Sequence, residues 1–206
     1  MAGIFSALID YMEEEEWRYE ILEGETVLRF NVKTHSGRLL CYGEAQEDKD
    51  WLLFYSYLPV NVPEEKMPQA AEFVARANRG MRIGNFELDV EDGEVRYKTS
   101  IDVEGGELTP KMIDNLLHAN LSTMDRYFNG FMELIYGDKS AAELIDLIER
   151  PPTAEELKAL ESLDLGDEDL DDDDDDDEDD EGEGEFDEGP GVYDEDDEDD
   201  AGGRRF

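Results

Sequence analysis

The sequence predicts an α+β domain, an antiparallel sheet with helices packed on it, followed by a disordered acidic tail. Three observations carry that prediction. Between residues 17 and 103, apolar side chains recur at every second position in one segment after another, the period of strands with one buried face. Segments opening near Ile4, Pro68 and Thr109 space theirs by three and four, which is the period of a helix with one apolar stripe. The charge is also split. Of 59 acidic residues in a chain of net charge −41, 29 fall from Pro151 onward against only Lys158, Arg204 and Arg205, leaving 30 acids and 15 bases ahead of them.

A body of that length buries roughly 68 to 70% of its unfolded surface, so its core needs no disulfide or metal staple. Cys41 is the only cysteine, which excludes an intramolecular disulfide and any multi-cysteine metal site and fits a reducing cytoplasm. The first residues run from Ile4 to Met12 into four consecutive glutamates, with no basic stretch and too few apolar residues for a signal peptide or a membrane span.

Taken in order, Ile4, Ala7, Leu8, Tyr11 and Met12 predict a short amphipathic helix. Trp17, Tyr19 and Ile21 then switch to period two, and Leu28, Phe30 and Val32 continue it after a turn at Gly24. His35-Ser36-Gly37 is the next turn. Residues 38–44 and 51–58 are apolar enough for inner strands, joined through the charged turn Glu47-Asp48-Lys49-Asp50. The second of these carries large apolar groups on both faces. Either it is a central strand covered on both sides, or one face, with Trp51, Leu53, Tyr55 and Tyr57, takes a partner.

Pro68 opens a helix through Asn78 with Met67, Ala70, Ala71, Val74 and Ala77 turned inward, and Gly80 ends it. In the hairpin over 82–103, Phe86, Leu88 and Val90 alternate with acids, and Val95, Tyr97, Thr99, Ile101 and Val103 alternate with polar residues. Asp92-Gly93 suits a type I′ turn. That turn would set Val90 opposite Val95, Leu88 opposite Tyr97 and Phe86 opposite Thr99, with the pairs Asp89–Arg96 and Glu87–Lys98 on the other face. Thr109-Pro110 reads as an N-cap and first helical residue, and Ile113, Leu117, Leu121, Met124, Phe128, Phe131 and Ile135 form one stripe to cover the hairpin. Asn129-Gly130 predicts a kink or break in that helix, since Gly in a helix interior costs about 1 kcal/mol relative to Ala.

Beyond Gly137, Ser140 with Glu143 and Thr153 with Glu156 read as capping boxes, each opening a short helix. From 166 to 206 the chain is nearly all Asp, Glu and Gly, with Phe186, Tyr193 and Phe206 isolated. Such a segment buries too little apolar area to offset its ordering entropy. The expected divisions are a domain over 1–137, a helical extension over 138–165 and a tail over 166–206.

Chemistry is sparse. His35 and His118 are the only histidines, and neither has a neighbouring Ser, Cys or acid that completes a triad. No phosphate-cradling glycine loop or HExxH pair occurs. Cys41 reads as a small buried hydrophobe rather than a redox thiol. Glu87, Asp89 and Glu91 read as a solvated strand face, and the aspartate run 171–177 lacks the glycine and spaced ligands of a calcium loop. No catalytic residue, metal site or cofactor is expected. Arg76, Arg79 and Arg82 cluster at the end of the second helix, either complementing its dipole or offering a site to an anionic partner. Direct nucleic-acid binding is not expected of a chain so acidic throughout.

Some residues carry a family resemblance. Gly84-Asn85-Phe86-Glu87-Leu88-Asp89, Gly93-Glu94-Val95-Arg96-Tyr97-Lys98, Ala119-Asn120, Met124-Asp125-Arg126-Tyr127-Phe128 and Ile135-Tyr136-Gly137 together resemble the bacterial YbjN family of sensory-transduction regulators. The resemblance runs over 1–137 and leaves out the tail. It implies a fold similar to type III secretion chaperones, a module that binds other proteins and commonly dimerises, and it brings no catalytic residues with it.

The function expected is therefore a non-enzymatic, chaperone-like or regulatory interaction module in the cytoplasm. Its sheet or groove would bind a protein partner, a basic one or a second copy of itself, through Trp51, Leu53, Tyr55, Tyr57, Arg76, Arg79 and Arg82. Two rivals stand beside it. One is a small-molecule enzyme with scattered residues, which would require a pocket of converging polar groups. The other is an acidic mimic of nucleic acid that sequesters a basic protein.

Overall fold

The computed structural model describes residues 3–104, 106–151 and 153. The chain divides into two units, Met1–Ala154 and Glu155–Phe206, and the described residues belong to the first. Glu156 of the second capping box, the short helix expected after Thr153 and the acidic tail thus lie outside the described residues.

In chain order the elements are α1 (Ile4–Glu14), β1 (Tyr19–Ile21), β2 (Val27–Lys33), β3 (Arg38–Gln46), β4 (Trp51–Tyr57), a 3₁₀ turn (Glu64–Lys66), α2 (Met67–Arg79), β5 (Asn85–Leu88), β6 (Val95–Asp102), α3 (Pro110–Tyr136) and α4 (Ala141–Glu149). The strands make one antiparallel sheet in the order β1-β2-β3-β4-β6-β5. This is the α+β class that the two periodicities predict.

The helices lie on one face of that sheet. Leu52, Phe54 and Ser56 of β4 are 0, 1 and 0% exposed, and their neighbours across the ladder on that face are Ala45, Gly43 and Cys41 of β3 and Ile101, Thr99 and Tyr97 of β6. A Cβ on Gly43 would meet Leu8 of α1 at 3.2 Å, and Thr99 Oγ1 donates to Leu116 O of α3 at 3.2 Å. Phe86, opposite Tyr97 in the ladder, packs edge-on against Phe131 and Tyr127 of α3, and Phe131 in turn against Phe73 of α2. Phe73 was not among the inward residues expected of α2, whereas Ala71, which was, is exposed. A phenyl ring contributes several times the apolar area of a methyl, so the helix rotates to bury it.

Asn120 ties helix to sheet. It is 1% exposed, and its Nδ2 donates to Phe54 O and Tyr97 O, both at 3.1 Å, on two adjacent strands. Thr109 caps α3 by accepting from Met112 N at 3.3 Å, as its sequence predicts. The expected interruption at Asn129-Gly130 does not occur, since α3 is continuous through 136. Gly130 is buried, and a Cβ there would lie 2.5 Å from Ile148 Cδ1 of α4 and 3.0 Å from Phe73 Cζ. The glycine lets two helices approach α3 closely, and that packing outweighs its poor helix propensity. Ser140 and Glu143 form the expected capping box and open α4 against α2 and α3.

The β5–β6 hairpin keeps its predicted faces but not its predicted register. Leu88 pairs with Val95, Phe86 with Tyr97 and Glu87 with Arg96, a slip of two residues from the tight-turn alignment. Val90 is left 68% exposed. A six-residue reversal replaces the two-residue turn. In it Asp89 N donates to Glu94 O and Gly93 N to Asp89 O, both at 2.9 Å, and the Asp89 and Asp92 carboxylates accept from Glu91 N and Glu94 N. The loop docks on the segment after β4: Val62 N donates to Gly93 O at 2.8 Å and Asn61 Nδ2 to Asp92 O at 3.0 Å. Gly93 has φ +80, and a Cβ on it would sit 2.1 Å from Val62 O. Shifting by two rather than one conserves the buried row, so the alternation reads the faces correctly while the turn does not fix the alignment.

Candidate functional site: the helix-free sheet face and a basic cleft

The face of the sheet away from the helices is built by the residues between the buried ones. On β4 these are Trp51, Leu53, Tyr55 and Tyr57, of which Leu53 is itself buried at 8% exposure, on β3 Leu40, Tyr42 and Glu44, and on β6 Arg96 and Lys98. Antiparallel pairing sets Tyr42 beside Tyr55, Leu40 beside Tyr57 and Tyr55 beside Lys98. Tyr42 and Tyr57 meet edge-on with ring centroids 5.5 Å apart. The Arg96 guanidinium lies 4.7 Å over the Tyr55 ring and donates to Tyr57 Oη at 3.1 Å. Lys49 lies 5.0 Å over the Trp51 ring, and Leu40 and Trp51 are 36 and 37% exposed.

Glu87 on β5 holds the basic side of this patch. It pairs with Arg96 at 2.8 Å and with Lys98. Partial burial acts to raise the Glu87 pKa, but hydrogen bonds and charges from Lys98 and Arg96 outweigh it and leave the carboxyl below its ordinary value. Burial pushes Tyr55 up to about 12, with Glu44 adding to it, so the hydroxyl stays protonated and available as a donor. The arrangement offers apolar and ring surface with fixed donors around it. Among the described residues, nothing on this face pairs a nucleophile with a base. Nor do any three His, Cys, Asp or Glu side chains converge as metal ligands among the described residues. Cys41 lies on the helix side, 1% exposed, and burial pushes its thiol up to about 12.

The structure separates the predicted site residues into two places. Trp51, Leu53, Tyr55 and Tyr57 share the open face of one strand. The arginines lie with the helices instead: Arg76 is bound to Glu72 at 2.7 Å on the surface of α2, Arg79 is exposed in its last turn, and Arg82 lines a cleft. That cleft has a volume of about 500 Å³, between the 80–83 segment, Ser122, Thr123 and Arg126 of α3, and Glu149 at the end of α4. Tyr42, Leu40 and Arg126 were not singled out from sequence. The first two carried a readable signal, since period two in β3 places them on one face. Arg126 carried none, because its place beside Arg82 depends on how α3 meets the loop after α2.

A family described as "Putative bacterial sensory transduction regulator", YbjN, matches residues 6–133. Among solved structures, a crystal structure of YbjN from E. coli, itself titled a putative transcription regulator, is similar at 12% identity and TM-score 0.50, over 64% of this chain and 96% of that one. A chain of the HopA1–SchA chaperone–effector complex matches at 14% identity and TM-score 0.41, over 60% and 91%. One of the ExsC–ExsE complex matches at 13% and 0.43, over 61% and 91%. No curated protein sequence matches. At 12% identity the likeness to the YbjN crystal structure speaks to fold alone, but the family match spans more than half of the sequence and includes the hairpin and most of α3, so the chain belongs to the YbjN family.

Proposed function

We propose that this protein is a non-catalytic interaction module that binds a segment of another protein on the helix-free face of its sheet. The observation that carries the reading is the row Trp51, Leu53, Tyr55 and Tyr57, widened by Leu40 and Tyr42, on a face that no described helix covers. Aromatic rings offer large contact area at small conformational cost and are the residues most enriched where proteins meet. The Arg96 and Lys98 side chains, held by Glu87, supply fixed donors at the rim. With a net charge of −41, the chain steers a cationic partner toward itself and repels a second copy of itself. A basic protein in the cytoplasm is therefore favoured over a homodimer, and a regulatory role agrees with the family description.

The test is site-specific cross-linking. A photoreactive residue replacing Leu40, on the open face, should capture a discrete partner, and one replacing Met112, 39% exposed on α3, should not. Equal capture from both positions, or from the α3 position alone, would reject the sheet face as the binding surface.

A further inference from the structure

We propose that the cleft beside Arg82 binds a small organic phosphate. It lies on the helix side, so it is independent of the sheet-face reading. Two arginines, Arg82 from the 80–83 segment and Arg126 from α3, line a cavity of about 500 Å³ together with Ser122 and with Thr123, whose side chain is hydrogen-bonded to Tyr97. Among the described residues lining it there is one carboxylate, that of Glu149, and it accepts from Tyr127 Oη at 2.7 Å. The lining therefore carries a surplus of positive charge within a chain of net −41. Had these arginines served only to solubilise the surface, acids in such a chain would be expected to surround them.

The geometry favours phosphate over carboxylate. One guanidinium fork satisfies both oxygens of a carboxylate, whereas a phosphate monoester presents three terminal oxygens and can engage two forks and neighbouring hydroxyls together. Arg126 is already positioned. Its Nη2 donates to Ile148 O at 2.9 Å and its guanidinium rests 5.9 Å from the Tyr127 ring, which leaves its other donors for a ligand. Met81 and Ile83, the latter 51% exposed, line the cleft beside Arg82 and offer apolar contact to the organic part. The volume falls in the range of sites for small ligands, about 300 to 1,000 Å³.

Calorimetric titration of the full chain with phenyl phosphate, benzoate and inorganic phosphate tests this. Phenyl phosphate should bind saturably and benzoate more weakly, since only the charged group differs; inorganic phosphate should also fall below phenyl phosphate, because it lacks the apolar part. Arg82→Ala, an exposed loop substitution, should weaken phenyl phosphate binding about tenfold, the scale of one lost charge-assisted contact. Glu149→Gln should strengthen it, because the one carboxylate among the described lining residues is gone. Neither change should alter cross-linking from position 40. Unaltered affinity in Arg82→Ala, benzoate binding as tightly as phenyl phosphate, or no saturable binding up to roughly 10 mM, a bound on the weakest useful affinity, would overturn the proposal.

Discussion

Gly130, Gly93 and Asn120 show how single positions set this fold. Gly130→Ala gains about 1 kcal/mol of helix propensity, but its methyl must displace Ile148 and press on the Phe73 ring, and overpacking of that kind costs about 1 to 3 kcal/mol. The expected net result is destabilisation in chemical denaturation, and a stabilised variant would show that α4 yields freely. Asn120→Ala removes the buried amide that binds Phe54 O, Tyr97 O and Thr99 Oγ1 between α3 and the sheet, and losing those hydrogen bonds should cost about 1 to 3 kcal/mol. At this scale the sequence was half legible. Thr109 and Ser140 declare their capping roles by local spacing, whereas Gly130 looks like a defect until the helix that crosses it is placed. Asn120 reads as a polar residue near an apolar stripe, and its partners are 66 and 23 residues away.

Among the elements, the β5–β6 hairpin is where local rules met competition. Asp92-Gly93 favours a tight turn on propensity alone, but docking on Asn61 and Val62 selects the longer reversal. β5 is also closed on its outer edge: Asn78 Oδ1 accepts from Phe86 N at 2.7 Å and its Nδ2 donates to Phe86 O at 2.9 Å, filling the places a further strand would take. Asn78→Ala should destabilise the domain by about 1 to 3 kcal/mol and increase self-association in sedimentation at high protein concentration. On the open face of the same hairpin, Glu87 is held below its ordinary carboxylate pKa by Lys98 and Arg96. A carboxyl with a depressed folded pKa contributes stability that is present at neutral pH and is lost as pH falls through the carboxylate range. The acid-induced drop in melting temperature should therefore be shallower in Glu87→Gln than in the native chain.

On the scale of the whole domain, the layer arrangement was readable because period two and period 3.6 separate cleanly along the chain, so strands and helices sort themselves before any contact is known. What the periods could not settle was β4, whose apolar residues on both faces suit a strand covered on both sides or one with a face left for a partner. The helices settle it by packing on Leu52, Phe54 and Ser56 and leaving Trp51, Leu53, Tyr55 and Tyr57 on the opposite side. The sequence offers the three arginines and that row alike as candidate contacts, and the fold places the arginines with the helices. The most direct test of the sheet-face account is to measure, in one experiment, melting temperature and affinity for the cross-linked partner in the double variant Trp51→Ala/Tyr55→Ala. The account predicts a cooperative unfolding transition within several degrees of the native one, with partner affinity lowered at least about tenfold. Native affinity in that well-folded variant would contradict it.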